Sequence, residues 1–365
     1  YIGGLEGLQR QVLYNVIKTL SMLARHIGAV LILTFISPSI LYFFYWQSVV
    51  ALITTIVLAV YLWRSLPKSN GRSKFDKNLF IKNWKFVSGV MGISLGTVLL
   101  TQIDKVILSK MLTLEVFSYY MLATTVATVI MSLVSPIHTA LFPRLSQLVV
   151  KKDEASISDL YHRGCQLASI IILPISITMI FFSKEILSTW IGDPTVVNNT
   201  HILLSLLIVG TTIKAYMTLP YTLQLAHGWT KLAFYKNVIA VIIIIPSMLW
   251  AAQMYQGIGA AWVLIILYLG LLIFEIIIMH KRILKGNMRE RYGYDVFIPI
   301  LIVSIIGLAA HEIHDIFPID VSEAVTALAV LCTLLFSFMA SAWSTGNLNV
   351  RVMSLLKIKE RKKIL

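Results

Sequence analysis

Asn237–Met279 reads NVIAVIIIIPSMLWAAQMYQGIGAAWVLIILYLGLLIFEIIIM, an apolar run with a single charge, Glu275. A helix rising ~1.5 Å per residue needs about 20 residues to cross a ~30 Å hydrocarbon core, so this run is long enough for two crossings. It predicts two membrane helices back to back, 237–253 and 257–279. Outward from it lie further apolar stretches at 15–36, 41–63, 86–108, 117–142, 164–183, 201–223, 296–311 and 322–343. Composition agrees with this reading: 58% hydrophobic, 13% charged, mean hydropathy +0.82. Soluble chains carry shorter amphipathic segments and about twice the charge, roughly 25%. The expected fold class is an all-α polytopic membrane protein with ten transmembrane helices in this chain.

Basic residues set the orientation. Of the 31 Lys and Arg, 25 fall on alternate links: Arg10; Arg64 to Lys85; Arg144 to Arg163; Lys231 and Lys236; Lys281 to Arg291; and the tail Arg351 to Lys363. The opposite links hold Lys105, Lys110 and Lys184. By the positive-inside rule the first set is cytoplasmic, and both ends of this chain with it. The net charge of +14 is then a record of membrane orientation. Nucleic-acid binding would need those bases gathered on one folded face, and here they are spread over short loops.

An internal repeat refines the domain plan. Gly7-Leu8-Gln9-Arg10-Gln11-Val12-Leu13-Tyr14-Asn15-Val16-Ile17 matches Gly228-Trp229-Thr230-Lys231-Leu232-Ala233-Phe234-Tyr235-Lys236-Asn237-Val238-Ile239 in the order Gly, base, Tyr, Asn, Val-Ile. Each copy opens two spans followed by a basic cytoplasmic loop. Parallel repeats of this kind build transporters. Four spans precede the second copy after linker 64–85, so four equivalents are expected upstream of Tyr1. The expected plan is 1–63, the last two helices of an N-lobe; 64–85, a basic inter-lobe linker; 86–280, a six-helix C-lobe; and 281–365, an extra helix pair with a basic tail.

Polar residues on the apolar helices fall into stripes. At 100° per residue Ser94, Thr97, Thr101, Asp104 and Lys105 share one face, and Ser88, Gly92 and Gly96 the opposite one, a small-residue face for close packing. Thr124, Thr125, Thr128, Ser132, Ser135 and Thr139 form a second stripe beside Pro136, where a bend is expected. Thr211, Lys214, Thr218, Tyr221 and Thr222 form a third; Tyr14, Lys18, Ser21 and Arg25, with His26 alongside, a fourth. Four such helices imply a hydrated cavity between them. Arg25 and Lys214 lie near mid-span, where a cation costs about 2.5–3.5 kcal/mol on insertion scales and so faces protein or water. Lys214 is read as cavity-facing; Arg25 is equally open to snorkelling, and Asp104-Lys105 to an ion pair. Glu275 is expected to pair with Lys281 or Arg282 at the interface.

Other features carry little. His311-Glu312-Ile313-His314-Asp315 lacks the spacing of His-Glu-x-x-His and is expected on a short loop, so no metal is expected. Trp190-Ile191-Gly192-Asp193-Pro194 reads as an interfacial Trp and a turn. Cys165 and Cys332 read as buried small hydrophobes. No Walker loop is present, so no nucleotide cofactor is expected.

Thr101-Gln102-Ile103-Asp104-Lys105-Val106-Ile107-Leu108-Ser109-Lys110 followed by Glu115-Val116-Phe117-Ser118-Tyr119-Tyr120 resembles a signature of polysaccharide flippases. Ala140-Leu141-Phe142-Pro143-Arg144-Leu145-Ser146 is similar to their following element, and Gly3 to Arg10 to the loop before their fifth helix. Lys105 stands where Arg is usual, and Ser118 where Gly is common. The resemblance is to the O-antigen (Wzx-type) branch of the multidrug/oligosaccharidyl-lipid/polysaccharide exporter superfamily, with this chain the C-terminal part of a two-lobed, twelve-to-fourteen-helix fold.

That resemblance implies a transporter and not an enzyme. It would move an undecaprenyl-diphosphate-linked oligosaccharide from the cytoplasmic to the periplasmic leaflet of the bacterial inner membrane, for surface polysaccharide such as O-antigen lipopolysaccharide. Implied partners are that substrate, membrane lipids and a polysaccharide polymerase or chain-length machinery. Arg25 or Lys214 would meet the diphosphate and the hydroxyls would meet sugar. Asp104 would couple transport to H+ or Na+. Rival readings are a peptidoglycan-precursor flippase, a drug exporter, or a membrane polymerase or ligase. A drug exporter would have an acidic, more apolar cavity. A polymerase or ligase would have a large outer loop, and the link 184–200 is short.

Overall fold

The computed structural model describes residues 1, 4–5, 8, 10–66, 77–284 and 292–316. The predicted span 322–343, the basic tail, Cys332 and part of the linker 64–85 lie outside the described residues. All regular elements among the described residues are helical. Among the described residues, seven helical segments are long and apolar enough to cross a membrane by length and composition, Leu114–Lys151 being one of them. The chain is a multi-pass membrane protein of all-α class, and it divides into two compact units, Tyr1–Phe80 and Ile81–Leu365.

In the first unit α1 (Gln11–Phe35) and α2 (Ile40–Ser65) cover the predicted spans 15–36 and 41–63. Pro38 interrupts the helix, and the Ser39 hydroxyl accepts from the Leu41 N–H at 3.3 Å, capping α2. The helices run antiparallel: Trp46 Nε1 donates to the Ala24 carbonyl at 3.0 Å, and the Ser21 and Thr54 hydroxyls meet at 2.7 Å. Gly28 makes the fit, since a Cβ there would lie 2.3 Å from the Trp46 ring. Val12, Ile40 and Phe35, the last 82% exposed, point outward. In water such a surface would aggregate; in hydrocarbon it has no reason to hide.

The second unit is built around α8 (Pro194–Ala226), which packs against five other helices. Before it come α3 (Lys77–Met111), α4 (Leu114–Ala127), α5 (Val129–Lys151), α6 (Glu154–Phe181) and the short α7 (Ser183–Ile191). α3 contains the predicted span 86–108 but begins ahead of it. The predicted span 117–142 is two helices, α4 and α5. The helical path continues from α4 to α5 through Thr128, which keeps right-handed helical angles of φ −66° and ψ −16°, and on through Pro136, where the bend was expected. The Trp190–Pro194 turn is present: Gly192 takes a φ of +73°, and Asp193 caps α8 by accepting from the Thr195 N–H at 2.8 Å. In the core of this unit the contacts between α6 and α8 include a 2.8 Å hydrogen bond from Thr212 to Ser176.

α9 (Thr230–Arg282) contains the decisive apolar run, and at Gln256 its backbone leaves the helix with φ 51° and ψ −135°. Lys236 Nζ and Glu275 Oε2, 39 residues apart, lie 2.8 Å from each other. A straight helix would hold them about 58 Å apart at ~1.5 Å per residue. The two halves therefore form an antiparallel hairpin that turns at Gln256, with the predicted spans 237–253 and 257–279 as its arms. Gly259 permits the turn, because a Cβ would lie 2.3 Å from the Ala251 carbonyl oxygen. Both copies of the internal repeat thus open a helical hairpin, α1–α2 and the two arms of α9; Gly7 and Gln9 of the first copy lie outside the described residues. The small-residue face of α3 meets the second copy directly: Gly92 faces Phe234, and Gly96 faces Asn237.

A π-helical turn, Gly293–Phe297, leads into α10 (Ile298–Ile316). His162 and Gln166 of α6 hydrogen-bond the Asp295 carboxylate, the latter at 2.8 Å, and the Ser169 hydroxyl donates to its carbonyl at 2.7 Å. The stretch His311–Asp315, expected on a loop, continues α10 instead. No proline interrupts it before Pro318, and the His311 ring packs on Phe181 and Phe182.

Candidate functional site

A cavity of about 470 Å3 opens inside the second unit, walled by α3, α5, α8 and both arms of α9. α3 supplies Ser94, Thr97 and Thr101, and α8 supplies Lys214, Thr218 and Tyr221. These are the polar stripes of the sequence, and helical spacing of three and four residues aims each set at the same space. Of the expected site residues, Thr97, Thr101, Lys214 and Thr218 are brought together here.

Lys214 supplies the cavity's unneutralised charge. No carboxylate among the described residues comes within ion-pair distance of it. Its ammonium instead lies over the Tyr268 ring, 5.5 Å from the centroid. Such a contact is worth about 0.5–2 kcal/mol and leaves the cation's outer face free to bind an anion. Asp104 and Lys105 contribute to the field at Lys214 from the next turn of α3.

The other expected residues sit elsewhere. Asp104 is buried, 5% exposed; it accepts from the Tyr120 hydroxyl at 2.7 Å, and its second oxygen has no hydrogen-bond partner among the described residues. Lys105 bonds Gln102 on its own helix at 3.0 Å, so the pair Asp104-Lys105 is not an ion pair. Thr128 joins α4 to α5, its hydroxyl bonded to the Thr125 carbonyl at 2.7 Å, and it does not line the cavity. The α5 residue on the wall is Met131, so the stripe to which Thr128 belongs faces elsewhere. Arg25 and His26 belong to the first unit: Arg25 is half-buried with a buried Nε that has no partner among the described residues, and His26 is exposed.

Two cavity residues and the buried partner of one of them escaped the sequence reading. Lys236 was placed on a cytoplasmic loop, but it is 7% exposed inside the first arm of α9 and lines the cavity. Glu275, expected at the interface with Lys281 or Arg282, is wholly buried and paired with Lys236, while Gln224 Nε2 donates to its other oxygen at 2.7 Å. Asn237 lines the wall and donates to the Thr97 hydroxyl at 3.1 Å. The repeat was the signal available: it marked this stretch, and the symmetry of 236 and 275 about Gln256 follows once the hairpin is recognised.

A second cavity of about 490 Å3, between α6, α8, the second arm of α9 and α10, is walled mainly by aliphatic and aromatic residues such as Ile273, Ile277 and Phe297. It has no charged side chain on its wall and cannot solvate a charged head group. The first cavity can: it sets a cation beside several hydroxyls that both donate and accept.

A family described as polysaccharide biosynthesis protein matches residues 5–195. A Shigella flexneri protein provisionally named as an O-antigen transporter is 22% identical over 215 residues, covering 58% of this chain and 49% of its own length. The chain thus spans about half the length of that relative. No solved structure matches the chain significantly.

Proposed function

Because the chain belongs to the polysaccharide biosynthesis protein family, we propose that it is part of a flippase that carries a lipid-linked oligosaccharide across the bacterial inner membrane. The observation that carries this reading is the cavity, in which Lys214 and a set of hydroxyls stand on helices whose outer faces are apolar.

The physical task fits those residues. A diphosphate-sugar head group cannot enter hydrocarbon without replacing its water, since bare charges and unsatisfied polar groups are expensive there. Lys214 would neutralise the diphosphate. Thr97, Thr101, Thr218, Tyr221 and Asn237 would replace water on the sugar, each able to donate and accept. The polyprenyl tail would stay in lipid. The cavity reaches towards Ala233 and Lys236, near the ends of helices joined by the Lys/Arg-rich links, so loading from the cytoplasmic side follows if those links are cytoplasmic. Release to the other side would come from rocking of the two lobes, coupled to H+ or Na+. A downstream polymerase would receive the product.

The test is complementation of a flippase-deficient strain by the full-length protein. Lys214→Ala is expected to abolish surface polysaccharide while the protein reaches the membrane at its normal level, and Lys214→Arg to retain part of it. Normal surface polysaccharide in the Ala variant would refute the reading.

A further inference from the structure

Glu275 is the fully buried charge next to the cavity, and its neighbours are arranged unusually. Lys236 Nζ donates to Oε2 at 2.8 Å and Gln224 Nε2 to Oε1 at 2.7 Å. Gln224 is 1% exposed, yet its own amide oxygen has no hydrogen-bond partner among the described residues. A buried acceptor left unused is costly, so what could use it matters. An ionised carboxylate cannot, because it only accepts; a protonated one can, because it carries an O–H. Once Oε2 carries a proton, it can donate to the Gln224 amide oxygen while Gln224 Nε2 still donates to Oε1, closing a two-bond acid–amide ring.

The site thus holds one set of partners for each protonation state of Glu275: Lys236 and Gln224 for the anion, Gln224 alone for the acid. Lys236 is released in the second state, and it already lines the cavity on the same wall as Asn237. We propose that Glu275 is a proton-binding site that decides whether Lys236 serves the carboxylate or an anionic diphosphate in the cavity. One proton from solution and the anion then enter together. The proton bonds to Oε2, Lys236 stays an ammonium, and its hydrogen bond passes from Oε2 to a phosphate oxygen. The inference rests on reading the cavity as a diphosphate site.

The other titratable groups facing Glu275 are Tyr221 of α8 and Tyr292 before α10, both within its electrostatic reach. Tyr292 is held by the Tyr161 hydroxyl at 2.6 Å and also feels Asp295. On its own arm of α9, His280 lies just over a turn further on and has its ring against Tyr292. Lys236 is the cation in contact with Glu275.

The experiment uses the purified full-length protein with inorganic pyrophosphate as probe. Infrared difference spectra on adding pyrophosphate should show a new carbonyl band of a protonated carboxyl group, absent from Glu275→Gln. The ratio of the wild-type dissociation constant to that of Glu275→Gln should rise about tenfold per pH unit as pH is raised, the slope of one linked proton. Ionisation of pyrophosphate itself cancels in that ratio. Gln224→Leu keeps the ion pair but removes the acceptor for the acid, so it should bind pyrophosphate more weakly than wild type. Binding by wild type with no band, or with a pH-independent ratio, would overturn the exchange and leave the cavity reading standing. Absence of binding by wild type and both variants at every pH would overturn both. Farnesyl diphosphate should bind more tightly than pyrophosphate; equal affinity would overturn a lipid-borne anion.

Discussion

Breaking the Lys236–Glu275 pair from either side should have unequal consequences, because the two partners differ in what surrounds them. Lys236→Met leaves a carboxylate with no exposure and one remaining donor, Gln224. An uncompensated buried charge of this kind costs about 3–5 kcal/mol. Glu275→Leu leaves an ammonium on the wall of a cavity large enough for water, so the loss is about 1–2 kcal/mol. The double variant Lys236→Met/Glu275→Leu removes both charges and leaves the buried Gln224 amide without its acceptor, so its loss should be about 1–3 kcal/mol, below the two single losses added. Equilibrium unfolding in mixed micelles titrated with sodium dodecyl sulfate, followed by far-ultraviolet circular dichroism, gives all four stabilities. A Glu275→Leu loss equal to or larger than that of Lys236→Met, or a double variant as unstable as the two single losses added, would refute the reasoning.

Gly259→Ala puts a Cβ 2.3 Å from the Ala251 carbonyl oxygen and 3.0 Å from the Tyr255 Cβ, so the hairpin must open. The expected loss is about 1–3 kcal/mol in the same unfolding assay, and a neutral result would mean the turn is looser than described. Tyr120→Phe removes the donor to Asp104 in a wholly buried position and should cost about 1.5–3 kcal/mol. Combined with Asp104→Leu, which removes the acceptor, the further loss should vanish, which unfolding of the single and double variants measures.

The parts of this molecule that could be read from sequence are those fixed by local periodicity. Apolar runs located the helices because a membrane helix needs one continuous run and nothing else. The stripes Ser94/Thr97/Thr101 and Lys214/Thr218/Tyr221 pointed to the cavity because each lies on an unbroken stretch of helix. Thr128 misled because spacing groups residues on one face without saying what that face meets, and the α5 residue that meets the cavity is Met131. Lys236 and Glu275 were read by a rule about loops and interfaces, which sorts cations by sequence position near span ends. Their partnership depends on where α9 reverses, a fact stored in Gln256 and Gly259 and not in charge. Asp104 was singled out as a polar residue in an apolar span, but its partner, Tyr120, belongs to the next helix and no spacing rule connects them.

The reversal at Gln256 bears on how the protein is made. The arms of α9 are joined with almost no polar linker, so very little hydrophilic chain has to be carried across the bilayer. Left to enter singly, the first arm would carry Lys236 and the second would carry Glu275, each an isolated charge. Entering as a folded pair, they bring a neutral ion pair into the membrane. The cheapest unit of insertion during synthesis is therefore the whole hairpin, and the ribosome must release both arms before either is secure.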